Sequence, residues 1–353
     1  MNMLIPSPDT IPVSWGYFKL LLMLVFPLHL ILMNAMLGST AIAVYAALKR
    51  EEVFKELARE LGKIIPLLIA FAVNIGIAAL LFLQVLYGNM FYASSVLIGA
   101  FWIMVIPLLI LAYYAAYVFD FRSHSGKKPK TAAICLSLVI FLSIAFLFSN
   151  NMTLMLEPEN WRIYFTHTAG TALNLDDPML LPRYLHFMIG GVAVGGLFVA
   201  LYGKLRKSMD SEVRALAQSI GMRVFTVLTG LQIVAGFIFL LSLRRNVMLL
   251  FMGGSMTATV IFVAGLALAI FVLTAGTKGK VYLCAGLVIP LVFVMAVLRD
   301  IVRTGYLEPY FSPHLLRLTP QYSPMLIFLA VLVLGIVTIV WLLLKVREST
   351  FAR

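Results

Sequence analysis

The chain has 353 residues, 62% of them hydrophobic and only 12% charged, with mean hydropathy +1.01 and a formal net charge of +12. Soluble domains carry about 25% charged residues, so a water-exposed globular fold is excluded, and the apolar runs are too long for the strands of an outer-membrane barrel. The expected fold is an all-α polytopic membrane protein in a lipid bilayer, with about nine transmembrane helices, and the basic charge implies no nucleic acid as partner.

The first helix is expected at 20–47. Met1 to Ser14 contains no Lys or Arg, and no small-residue cleavage site follows the run Leu20 to Leu32, so this is not read as a signal peptide. Residues 12–28 read as its outward extension, with Trp15, Tyr17 and Lys19 at headgroup level. The segment "REEVFKELARELGK" then reads as a solvated amphipathic connector to helices at 64–87 and 95–119. The third of these, 95–119, contains no acidic residue. A fourth helix, 131–149, leads to an outer segment, 150–182, carrying Glu157, Glu159, Asp176 and Asp177.

The fifth helix, 183–203, opens with Arg183 and His186 one turn apart on the same face. The sixth, 219–242, is joined by a short link holding Arg244 and Arg245 to the seventh, 247–274, which begins with Met248, Met252 and Met256. The eighth, 281–300, ends at Arg299 with Arg303 just beyond; an aromatic and proline-rich outer segment, 301–324, precedes the ninth, 325–344. Most of the 27 lysines and arginines then fall in 49–63, 120–130, 204–223, 276–280 and the C-terminal tail. The positive-inside rule makes that side cytoplasmic, with the N-terminus outside and the C-terminus inside a cytoplasmic (inner) membrane. Only an odd helix count satisfies this.

A repeat links the two halves. His29 is followed by Gly38, Tyr45 and Lys49 at +9, +16 and +20, and His186 by Gly195, Tyr202 and Arg206 at the same offsets, 157 residues later. This divides the chain into a four-helix unit (1–149), an outer loop (150–182), a second four-helix unit (183–300), and a remainder of outer loop, ninth helix and tail (301–353). Twenty helical residues span about 30 Å, so both histidines are expected near the outer face.

Of five histidines, His124, His167 and His314 fall in expected loops, while His29 and His186 stand inside helices. Ionisable residues there are functional candidates. Imidazole is a common haem-iron ligand, and haem propionates need cations, for which Arg183, Arg244, Arg245, Arg299 and Arg303 are the outer candidates. A methionine of the seventh helix is a candidate thioether ligand opposite His186. The two cysteines, Cys135 and Cys284, lie far apart, and no CxxC or CxxCH occurs, which excludes c-type haem attachment. No P-loop, HExxH or nucleophile elbow occurs.

The segment "LPRYLHFMIGGVAVGGLFVALYGKL" resembles the fifth helix of cytochrome bd quinol oxidase subunit I, and "FPLHLILMNAMLGSTAIAVY" resembles that family's first. "AVNIGIAALLFLQVLYG" is similar to its second helix and "LFSNNMTLMLEPENW" to the exit of its fourth. The resemblance covers roughly residues 20–260. It implies haem ligation by His29 and by His186, with Met252 as second ligand for the latter, and so one or two haems b with quinone or quinol as substrate. It departs from the family in lacking glutamates in helix three and the long outer loop after helix six. The expected function is therefore a b-type haem subunit passing electrons between the quinone pool and a membrane or periplasmic redox partner such as a c-type cytochrome. A terminal quinol oxidase and a haem-free transporter are the alternatives.

Overall fold

The computed structural model describes residues 4–124, 131–166 and 168–351. Among these, nine helices are long and apolar enough to cross a membrane. In chain order the helices are α1 (Trp15–Ala47), α2 (Glu52–Leu97), α3 (Gly99–His124), α4 (Thr131–Leu156), α5 (Leu180–Leu205), α6 (Ser211–Ser242), the single-turn α7 (Arg245–Leu249), α8 (Met256–Thr277), α9 (Val281–Leu307) and α10 (Tyr322–Phe351). Helices are what hydrocarbon permits, because each satisfies its backbone polar groups within its own segment. The basic residues Lys127, Lys128 and Lys130, together with His167 and Arg353, lie outside the described residues.

Several boundaries differ from the sequence expectation, each for a local reason. The charged connector is not separate from the second span. It forms the first turns of α2, a helix of 46 residues, or about 69 Å, more than twice the hydrocarbon thickness. Pairs at i,i+3, such as Lys55 with Glu52 (2.6 Å) and Arg59 with Glu56 (2.5 Å), suit its projecting end to water. At the other end Tyr87 leaves helical geometry (φ −133°, ψ 25°) and redirects the chain. α3 runs on to His124 and so includes Asp120, which the expected boundary left out. α4 continues to Leu156, folding "NNMTLML" into the helix.

The largest correction concerns the seventh helix. Residues expected as one span are divided into α7, a π turn over Leu250–Gly254, and α8. Gly253 sits at φ 103°, where a side chain would be strained. Ser255 then caps α8, its hydroxyl accepting from the Ala258 N–H at 3.4 Å.

The loops on the side opposite the basic ones interlock. Ile11 exchanges backbone hydrogen bonds with the far segment, its N–H donating to Arg317 O and its carbonyl accepting from Thr319 N, both 2.9 Å. Trp15 packs on the exposed His314 with ring centroids 4.2 Å apart. Arg244 reaches Glu157 (3.3 Å) and Glu159 (3.0 Å), and the Tyr310 hydroxyl also donates to Glu159. The N-terminal segment and three loops therefore lie on one side.

At the centre, α1 crosses α5. A Cβ on Gly38 would lie 2.4 Å from the Gly195 Cα, and one on Gly195 would lie 2.3 Å from the Gly38 Cα. These two glycines are equivalent in the repeat. Close crossing at small residues is the usual way membrane helices gain contact.

Candidate functional site

A cavity of about 250 Å³ lies among α1, α5, α6, α8 and α9, with Met152, Met155 and Leu156 contributed by the end of α4. Its walls are mostly Leu, Val, Phe and Met, interrupted by a few polar groups: Asn34, Thr229, Gln232, His186 and three arginines. This is the composition of a site that takes a largely apolar ligand and orients it through a few contacts.

His186 enters the cavity from α5. Its ring rests on Gly236 of α6, where an added Cβ would come 3.2 Å from the imidazole Cε1. Gln232, one turn earlier on α6, donates its amide N–H to His186 Nε2 at 3.1 Å. That bond leaves the ring proton on Nδ1, and both Nδ1 and Gln232 Oε1 are buried without a hydrogen-bond partner. Gly190 makes room for the amide, since a Cβ there would approach Gln232 Nε2 to 2.8 Å.

His29 occupies the equivalent place on α1 but faces α2. A Cβ on Gly76 would lie 2.7 Å from its Cε1, and its Nδ1 donates to the Ala72 carbonyl at 2.9 Å. The two notches correspond: Ala72 precedes Gly76 by one turn, as Gln232 precedes Gly236. The cavity walls do not include His29. Its Nδ1–H to carbonyl bond nevertheless leaves the Nε2 lone pair free, the arrangement found in metal-bound histidines.

Arg183, Arg299 and Arg303 line the cavity together. Arg183 and Arg303 are buried, and both terminal nitrogens of Arg303 lack a hydrogen-bond partner. Arg299 lies over the Phe26 ring at 4.4 Å and Arg303 over the Tyr87 ring at 4.8 Å. Asp300 is the nearby carboxylate, but it is shared: Lys19 holds it at 2.5 Å and Arg303 stands 3.7 Å away. Asp177 lies close enough to Arg183 to feel its charge. A cation–π contact contributes about 0.5–2 kcal/mol, whereas desolvating one buried ion costs several kcal/mol. Asp300 and Asp177 therefore serve four cations between them. The cluster calls for anions.

The remaining candidates lie elsewhere. Arg244 is held by Glu157 and Glu159 and Arg245 is exposed, so neither faces the cavity. Met252 is 59% exposed on the π turn and absent from the cavity walls. Its expected place opposite His186 assumed a continuous seventh helix, and the break at Gly253 removes that geometry. The half-buried Gln232, the buried Asn34 and the notch glycines Gly76 and Gly236 carried no role in the sequence expectation; for Gly236 alone, its place one turn beyond the polar Gln232 was an available signal.

Outside the spans, burial and the neighbouring Asp177 push the Glu157 carboxyl up, and burial pushes Asp177 up. Burial acts the same way on Glu159, but hydrogen bonds from Arg244 and Tyr310 outweigh it and hold that carboxyl low. No group of three or more His, Cys, Asp or Glu able to hold a metal ion occurs among the described residues. An iron already held by a macrocycle needs only one or two protein ligands.

A scan against protein-family models finds no match to this chain, and a search of curated proteins finds none either.

Proposed function

We propose that the chain is a membrane subunit that holds b-type haem and carries electrons between the quinone pool and a redox partner at the outer face, such as a c-type cytochrome. The observation that supports this is the joint presence, in one apolar cavity, of an imidazole with a buried, unpartnered Nδ1 and three arginines, of which Arg303 has both terminal nitrogens unpartnered. Haem is a flat apolar molecule with two carboxylates and an iron that accepts imidazole. Its two propionates are anions of the kind such arginines bind. His186 would hold the iron, displacing the Gln232 amide, while Arg183, Arg299 and Arg303 would hold the propionates. The apolar walls would exclude water. Bound haem would supply one-electron chemistry at the iron, which these side chains do not have.

His29 is the weaker ligand candidate. The repeat position matching Arg183 is Phe26, so the first half lacks the same cation. One haem at His186 is accordingly the reading put forward. By the positive-inside rule the arginine end faces outward, in an inner membrane with the N-terminus outside and the C-terminus cytoplasmic.

A terminal quinol oxidase is disfavoured by α3, where the only acid is Asp120, four residues from the helix end at the basic side. Purified His186→Ala protein should lose the reduced-minus-oxidised b-type bands while His314→Ala retains them. Equal loss from both, or from neither, would reject His186 as the ligand.

A further inference from the structure

We infer that the gap between α6 and α8 is a lateral approach from the lipid to the edge of the His186 cavity, where a quinol with an apolar tail would meet it. Its redox role rests on the haem reading; its geometry does not. At the basic end the two helices are in tight contact: a Cβ on Gly276 would come 2.9 Å from Thr226 Oγ1 and 3.4 Å from Phe225 Cε1. Further along, beside His186, they meet through two rings. Phe237 and Phe262 stand 6.4 Å apart between centroids, edge to face at 88°, near the outer limit of aromatic contact at about 7 Å. The helices therefore diverge, and two phenylalanines stand in the opening.

Phe237 is also where the wall is breached. Among the described residues lining the cavity it is the only one more than a third exposed, at 42%. Its exposed neighbours, Val234, Ile238 and Leu241 on α6 and Val260 and Val263 on α8, are all apolar, so the outer face of the gap meets lipid rather than water. A water-soluble donor has no polar path through such a rim, whereas a lipid-soluble one does.

The test uses full-length protein in lipid nanodiscs and an azido-substituted benzoquinone with a short isoprenoid tail, photolysed and mapped by mass spectrometry. The label should fall on α6 and α8 around Phe237 and Phe262. Phe237→Trp, which fills the gap, should reduce that labelling and the rate of quinol-driven haem reduction by about tenfold or more. Dithionite should still reduce that variant fully. Phe262→Ala, which widens the gap, should keep or raise both signals, and a loss there would count against the inference. Labelling remote from the gap, labelling that spares the protein and follows the acyl chains, or an unchanged quinol rate in Phe237→Trp would overturn it. A preparation without haem bands would defeat the haem reading alone, because the labelling still decides the route.

Discussion

Arg303 is buried to 3% exposure, its two terminal guanidinium nitrogens lack hydrogen bonds, and its nearest carboxylate is shared with Lys19. A charged hydrogen bond contributes about 1.5–3 kcal/mol, so Arg303→Gln should weaken haem retention by about ten- to a hundredfold. Arg245→Gln, at an exposed position, should leave it unchanged. The haem-to-protein ratio of each purified variant measures this, and equal retention would separate Arg303 from the propionates. Sequence alone proposed five arginines near span ends, of which only Arg183 was set apart, by its spacing from His186. It could not separate the three that converge from the two that do not, because hydropathy records where a helix ends and not which way its last turn faces. Arg183 was the exception. Its one-turn spacing from His186 was legible, and both line the cavity.

Among the elements, the crossing of α1 and α5 carries a direct test. At Gly38 and Gly195 the obstruction to a side chain is backbone, which cannot rotate away. Gly195→Ala should destabilise the protein by about 1–3 kcal/mol or more, seen as a lower thermal midpoint in detergent. Gly286→Ala, where open space surrounds the new methyl, should be neutral. The H-x8-G spacing singled out these glycines, but their contact was not deducible, since the repeat fixes equivalence and not adjacency. The break between α7 and α8 was signalled by Gly253, Gly254 and Ser255 within "MLLFMGGSM", but the apolar residues on either side carried the expected span through it.

The outer segment gives a pH test. Glu157 and Asp177 titrate above their ordinary values, so the folded state binds their protons more tightly than the unfolded chain. Their contribution is present at low pH and is lost as pH rises through the raised values. Glu159 acts oppositely, contributing above the ordinary glutamate value of about 4.3 and losing that contribution as pH falls. Between that value and neutrality, the thermal midpoint should fall as pH rises. The double variant Glu157→Gln/Asp177→Asn should flatten the slope, and an unchanged slope would show that other groups set it.

For the molecule as a whole, the nine spans and the gathering of basic loops were readable from composition because lipid imposes length and polarity so strictly. The cavity was not, being made by α1, α5, α6, α8 and α9 together. None of the central stretch of α10 is buried. Reducing oxygen to water needs protons carried to a buried site through ionisable side chains, and α3 offers acid only at Asp120. Purified protein given a quinol donor should therefore show no appreciable oxygen uptake at an electrode, and rapid uptake would restore the oxidase reading.

The most direct measurement of the central claim is the visible spectrum of the wild-type protein purified from haem-replete cells. A b-type Soret and α band in the reduced-minus-oxidised difference, at about one haem per chain, is the predicted result. A colourless protein would contradict it and would leave the buried arginines to another anion.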